Sequence, residues 1–191
     1  MIFLFQTGSQ LYNLTNSKSD HDYLAIITHG THYPYPENKE IEVWTLAEFK
    51  QKLVEYDLKA LEVYLSNMYI FNSIQIRLVE DKEQLRRSVS AVVSNAYVKS
   101  KKKIRDGEVY TGIKSYWHCL RILYFYKNFS FKYPDNPSTA FLDLKDIYND
   151  IMSFEGKYPV EELYSKLKEK YDPLLKEYRH TFRTNFPKTW N

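Results

Sequence analysis

Two pairs of residues near the start of the chain have the types and spacing for metal-dependent phosphate chemistry. Gly8 and Ser9 follow one apolar run, and Asp20 and Asp22 precede another. If a strand includes both aspartates, their side chains point to the same side, because strand side chains alternate. Two carboxylates so close repel each other unless a cation lies between them. Mg²⁺ suits this position, since it binds one or two protein carboxylates and completes its shell with water and phosphate oxygens.

Glu40 and Glu42 each offer a third carboxylate. Both lie on one face of the predicted strand 40–45, because side chains two residues apart in a strand share a face. A third acid from a neighbouring strand would allow two metal ions about 4 Å apart. The alternative is that these glutamates form the solvated face of an edge strand. The sequence predicts Asp20 and Asp22 as metal ligands, with Glu40 preferred over Glu42 as the third.

Gly8 and Ser9 suit the phosphates of the same site. A glycine at the end of a strand lets the backbone approach a ligand closely. A serine that leads into a short helix or turn offers a hydroxyl and backbone N–H groups to a phosphate. The assembled site would therefore hold a nucleoside triphosphate and two Mg²⁺ ions, with Mn²⁺ as an alternative.

The hydrophobic pattern predicts an α+β protein in which a small sheet precedes many helices. Continuous or alternating apolar residues predict strands over 2–6, 22–28 and 40–45. From Leu46 the apolar residues recur at helical spacing, and helices are also predicted over roughly 80–104, 108–129, 139–154 and 159–182. We expect a lobe of residues 1–78 that contains the sheet and a helical lobe of residues 79–191.

The composition is that of a globular protein with its own core, and the cysteine usage fits a reducing compartment without requiring one. Hydrophobic residues make up 43% of the 191 residues, which is enough for a core. No apolar run approaches the ~20 residues of a membrane helix, and the initial MIFLF has the character of a strand rather than a signal peptide. The single cysteine, Cys119, excludes an internal disulfide and is expected to be buried and inert.

Three basic residues share one face of the helix predicted over 108–129. Lys114, His118 and Arg121 stand at positions i, i+4 and i+7 within an otherwise apolar run. Such groups are costly there unless they have anionic partners. The phosphates or base of a nucleotide would serve, and so would acidic residues and helix ends of the helical lobe. Both interpretations stay open.

A second basic group lies at the end of the preceding helix. The stretch KSKKKIR has five basic residues, which are Lys99, Lys101, Lys102, Lys103 and Arg105. Lysines on a surface supply contacts to a phosphate backbone, so the stretch is a candidate for RNA binding. The alternative is a solvated helix face. The net charge of +3 permits a polyanionic partner without indicating one.

The stretch GSQLYNLTNSKSDHDYLAI resembles the signature of the DNA polymerase beta-type nucleotidyltransferase superfamily. It is most similar to a prokaryotic and phage branch of predicted nucleotidyltransferases, sometimes linked to RNA repair, which reads Gly-Ser-x-x-Tyr-Gly-x-x-(Thr/Ser)-x-x-Ser-Asp-x-Asp-Tyr. The residues that match at the same spacing are Gly8, Ser9, Tyr12, Ser19, Asp20, Asp22 and Tyr23. Asn13 replaces the usual glycine. The resemblance is strong over residues 7–65 and weaker beyond them.

Later residues extend the resemblance. Those that fit the branch's acidic strand and its next two helices are Glu40, Leu46, Phe49, Glu62 and Leu65. The branch often has Lys-x-x-x-His-x-x-Arg in its helical region, which corresponds here to Lys114, His118 and Arg121. Its usual Asn-Pro before the second helix is Asp57-Leu58 here, and its third acid is a glutamate.

The resemblance implies transfer of a nucleoside monophosphate from a nucleoside triphosphate, such as ATP, to an acceptor hydroxyl. Asp20, Asp22 and the third acid would be catalytic and would bind Mg²⁺, while Gly8 and Ser9 hold the phosphates and Ser19 braces the carboxylate strand. The expected acceptor is an RNA 3′ end, such as that of tRNA. The alternatives are nucleotidylation of a protein, as in toxin-like members, and an inactive NTP- or RNA-binding module. The expected location is the cytoplasm of a bacterium, or of the host of a phage.

Overall fold

The chain divides into two compact units in a computed structural model, which describes residues 1–12, 22–28, 41–140 and 142–188. The first unit comprises residues 1–80 and 131–140, and the second comprises 81–130 and 141–191. Residues 131–140, which the sequence pattern placed in the helical lobe, therefore group with the sheet. The ring of Phe131 contacts the ring of Tyr56 edge-on at 6.2 Å between centroids, which attaches this segment to the first unit.

The first unit contains a three-stranded mixed sheet. Its strands are β1 (Ile2–Gln6), β2 (Tyr23–Ile27) and β3 (Ile41–Thr45), in the order β1-β2-β3. β1 and β2 are antiparallel, with Gln6 opposite Tyr23, and β2 and β3 are parallel, with Tyr23 opposite Ile41. The end of β1 and the beginnings of β2 and β3 therefore lie at the same edge of the sheet.

The rest of the described chain is mostly helical, which confirms the α+β class. The helices are α1 (Gly8–Leu11), α2 (Leu46–Val54), α3 (Leu58–Ser66), α4 (Met68–Ser73), α5 (Lys82–Arg105), α6 (Val109–Tyr126), α7 (Pro137–Ala140), α8 (Lys145–Met152) and α9 (Val160–Asn185). The helix predicted over 139–154 is instead α7, a 3₁₀ turn at Leu142–Leu144, and α8. Across the described ranges, no helix is both apolar and long enough to cross a membrane.

Aromatic packing joins the sheet to its helices. Phe5 lies opposite Leu24 in the sheet, and both are buried. The ring of Phe71, from α4, lies 5.3 Å from that of Phe5 and 4.8 Å from that of Phe49, from α2. Each buried side chain of this size contributes about 1.5–3 kcal/mol of hydrophobic stabilisation. One face of the sheet is therefore covered by α2 and α4.

Helices α5 and α6 cross closely in the second unit. A Cβ at Gly112 would lie 2.8 Å from the Ile104 backbone nitrogen and 3.0 Å from the Ser100 carbonyl oxygen. Nearer the other end of α6, the Cys119 thiol donates to the Val93 carbonyl at 3.4 Å. The two helices are thus antiparallel, and Gly112 allows their backbones to approach. Cys119 is fully buried, as the sequence predicts.

Helix α9 is attached to this pair by the partly buried carboxylate of Asp172. Asp172 accepts hydrogen bonds from the hydroxyls of Tyr97 on α5, at 3.1 Å, and Tyr116 on α6, at 2.7 Å. Burial and the nearby carboxylate raise the pKa of both hydroxyls, so they remain donors. One aspartate therefore links three helices of the second unit.

Candidate functional site

Gly8 and Asp22 lie against each other where β1 ends and β2 begins. The Thr7 backbone N–H donates to the Asp22 carbonyl at 2.9 Å, which continues the antiparallel pairing by one residue. Gly8 has φ of +61°, in the left-handed region. A Cβ at this position would overlap Asp22 Oδ2 and would lie 3.1 Å from Asp22 Cγ. Glycine is therefore required both by the backbone conformation and by the approach of the carboxylate.

The Asp22 carboxylate is available for a ligand. It is half-buried and forms no hydrogen bond or ion pair with any part of the described chain. It also lies beside Gly8, which has no side chain. A partly enclosed carboxylate without a competing partner, next to open backbone, fits a hydrated Mg²⁺ ion.

Glu42 is held by other side chains. Its Oε1 accepts a hydrogen bond from Trp44 Nε1 at 2.7 Å, and its Oε2 accepts one from Lys59 Nζ at 2.6 Å. Partial burial raises the pKa of Glu42, but these two hydrogen bonds outweigh it, so the pKa lies below its usual value. Both carboxylate oxygens are engaged, which favours a structural role for Glu42 and leaves Glu40 as the better candidate for a third metal ligand.

Several predicted site residues lie outside the described part of the chain. They are Ser19, Asp20 and Glu40. Ser9 belongs to helix α1, and only its backbone is described. Among residues 1–12, 22–28, 41–140 and 142–188, no three His, Cys, Asp or Glu side chains are grouped as metal ligands would be.

Thr7 is a polar residue of this edge that the sequence motif does not single out. Its side chain is 2% exposed, and its hydroxyl has no hydrogen-bond partner among the residues that the structure describes. A buried hydroxyl without a partner is costly, so such groups are uncommon. No periodicity or spacing in the sequence distinguishes it from an ordinary strand threonine.

On helix α6, Arg121 and His118 are paired. Arg121 is 4% exposed, and its Nη2 lies 3.0 Å from His118 Nδ1. A guanidinium can only donate, so Nδ1 is the acceptor and the imidazole is neutral, with its proton on Nε2. Burial of the ring, followed by the charges of Arg121, Lys99 and Lys114, holds the pKa of His118 well below its usual range. Arg121 and His118 are therefore in contact, and the charges of Lys99, on α5, and Lys114 also lower the pKa of the His118 ring.

The basic stretch at the end of α5 does not form a single face. Lys103 pairs with Glu108 at 2.5 Å, and Arg105 pairs with Asp106 at 3.3 Å, both in the turn that follows the helix. The remaining three, Lys99, Lys101 and Lys102, are exposed. The five charges thus divide between two local ion pairs and three exposed lysines, which the spacing alone does not indicate.

No protein-family model matches the chain, and neither a curated protein nor a solved structure matches it significantly. The interpretation of the site therefore depends on its own residues.

Proposed function

We propose that the protein is a metal-dependent nucleotidyltransferase with a polymerase beta-like fold, which transfers a nucleoside monophosphate from an NTP to an acceptor hydroxyl. The observation that carries the proposal is the Asp22 carboxylate, which has no partner in the described chain and packs on the positive-φ Gly8. A half-buried carboxylate that has no partner in the described chain is suitable as a metal ligand.

In this proposal Asp20 and Asp22 bind Mg²⁺, or Mn²⁺, and Glu40 supplies the third carboxylate. The metal, when bound, neutralises charge on the reacting phosphate. The acceptor oxygen attacks the α-phosphorus, the bond to the bridging oxygen breaks, and pyrophosphate leaves. Glu40 receives the hydroxyl proton. The backbone at Gly8 and Ser9 holds the outer phosphates.

The proposed acceptor is an RNA 3′ end, such as that of tRNA, in the cytoplasm of a bacterium or of a phage host. Lys101 and Lys102, exposed on α5, support an RNA partner, because surface lysines supply contacts to phosphates. Transfer to a protein hydroxyl is the first alternative. An inactive module of the same fold, which would bind NTP or RNA without transfer, is the second.

The test is incubation of the protein with each α-labelled NTP, total RNA and Mg²⁺. We expect label to enter RNA with the wild type and not with Asp22→Asn. The matched control is Asp146→Asn, which changes an exposed aspartate of α8. A second readout, independent of turnover, is Mn²⁺ binding, which Asp22→Asn should weaken. Undiminished transfer by Asp22→Asn would contradict the assignment, and label in protein rather than RNA would identify the alternative acceptor.

A further inference from the structure

The crossing of α5 and α6 places Lys99 on the same side of the helix pair as the basic face of α6. Val93 lies opposite Cys119, and Ser100 lies opposite Gly112. On the other side of the pair, the ring of Tyr97 lies 5.8 Å from that of Tyr116 and both hydroxyls bond to α9. Lys99, two residues after Tyr97, faces away from α9.

The groups on this side are hydrogen-bond donors. Lys99 and Lys114 carry ammonium groups, and the buried Arg121 carries a guanidinium. His118 accepts from Arg121 through Nδ1 and therefore has a protonated Nε2. The His118 side chain is only partly buried. A neutral imidazole among cations thus adds another N–H rather than a compensating negative charge.

Neither lysine of this group is engaged by an acid. Lys99 and Lys114 form no hydrogen bond or ion pair within the described ranges, and Lys114 has only the ring of Tyr110, whose centre is 6.0 Å from its Nζ. By contrast, Lys103 and Arg105 of the same basic stretch have carboxylate partners. An anion bound by Lys99 and Lys114 would give both ammonium groups a charged partner.

We propose that Lys99, Lys114, His118 and Arg121 form one binding site for a compact polyphosphate, and that Lys99 belongs to this site rather than to an RNA-binding stretch. The crossing of α5 and α6 groups these side chains on one side of a single helix pair, whereas a nucleic acid backbone requires cations that are spread along it. The site is defined within the second unit alone, and the binding of a polyphosphate there does not depend on the proposed transfer reaction.

The experiment is calorimetric titration of metal-free protein with inorganic tripolyphosphate at low, fixed salt. Lys99→Gln and Lys114→Gln should each weaken binding by at least about fivefold, since each removes a charge-assisted hydrogen bond. The matched control is Lys176→Gln, which removes an exposed lysine of α9 in the same unit. Neither test residue has a carboxylate partner among the described residues, so melting temperatures should stay within about 2 °C of the wild type.

The outcomes separate this site from the proposed reaction. Equal losses in all three lysine variants would show diffuse attraction and overturn the site. So would binding of a single-stranded RNA that depends on Lys99 while tripolyphosphate neither binds nor competes. Asp22→Asn should bind tripolyphosphate as the wild type does. If that variant keeps full transfer while the lysine variants lose binding, the reaction is wrong and the polyphosphate site stands.

Discussion

The contact between Gly8 and Asp22 predicts that only glycine fits at position 8, which a single substitution can test. Gly8→Ala should destabilise the fold by about 1–2 kcal/mol, because a side chain in the left-handed region is strained. It should also displace the Asp22 carboxylate, which the new Cβ would overlap. We therefore expect a loss of nucleotidyl transfer close to that of Asp22→Asn. Denaturant unfolding and the α-labelled NTP assay measure the two effects.

A second glycine provides the control for this substitution. Gly107 has φ of +83°, and a Cβ there would have no atom within 4 Å. Gly107→Ala should therefore show the same backbone strain without the steric overlap. If both variants lose stability equally and both keep transfer, the approach of Gly8 to Asp22 has no catalytic importance.

At the scale of the element, the third metal ligand is either Glu42, which lies on β3, or Glu40, which lies outside the described residues. Glu40→Gln should reduce transfer at least about tenfold more than Glu42→Gln, because loss of a metal ligand removes several kcal/mol of stabilisation. Glu42→Gln should instead lower stability by less than about 1 kcal/mol, since its ion pair with Lys59 is solvent-exposed. Steady-state kinetics and unfolding curves of both variants give the comparison. Equal kinetic losses, or a larger one at Glu42, would reverse the order.

Secondary-structure elements that depend on a short stretch of sequence were predicted well. The apolar run 2–6 coincides with β1, and α2 begins after Thr45, whose side chain accepts from the Glu48 N–H while Glu48 bonds back to the Thr45 N–H. The short turn at 106–108 is visible in the sequence and makes α5 and α6 neighbours, but the sequence does not give the faces on which the two helices meet. In the structure Gly112 packs against the turn of α5 that contains Ser100. The position of Lys99 relative to the basic face of α6 depends on that contact and was therefore not predicted.

The candidate site shows the same division. The motif predicted that Gly8 and Asp22 belong together, and their contact in the structure agrees. The hydrogen bonds of Glu42 were not predictable, since Lys59 lies on α3 and comes near Glu42 only when α3 packs beside the sheet. Spacing identifies which side chains share a face, but tertiary packing decides which of them are already engaged.

At the scale of the molecule, the neutral His118 predicts how stability depends on pH. The folded protein keeps the pKa of this imidazole well below its usual value of about 6.5, through burial and the cations of Arg121, Lys99 and Lys114. Below that pH the unfolded chain binds a proton that the folded chain does not. Stability should therefore fall with falling pH, by up to about 1.4 kcal/mol per pH unit.

His118→Gln should remove this part of the dependence between about pH 7 and pH 5. The matched control is His180→Gln, because His180 is an exposed histidine of α9. Denaturant unfolding across the range gives the free energy of each variant. Curves for His118→Gln and the wild type that stay parallel would show that the imidazole protonates equally in both states.

Each unit contains one buried tryptophan, Trp44 or Trp117, that can serve as its intrinsic fluorescent probe. Trp44 is buried in the first unit, where its indole donates a hydrogen bond to Glu42 and Lys52 Nζ lies 4.7 Å from its ring centre. Trp117 is buried in the second unit, where its ring packs against Tyr148. Trp190 lies outside the described residues and can be replaced by Phe. In two variants that retain only Trp44 or only Trp117, the fluorescence emission of the remaining tryptophan will then follow the melting of its own unit. Coincident transitions would mean that the units unfold as one cooperative block, and separated transitions that each folds independently.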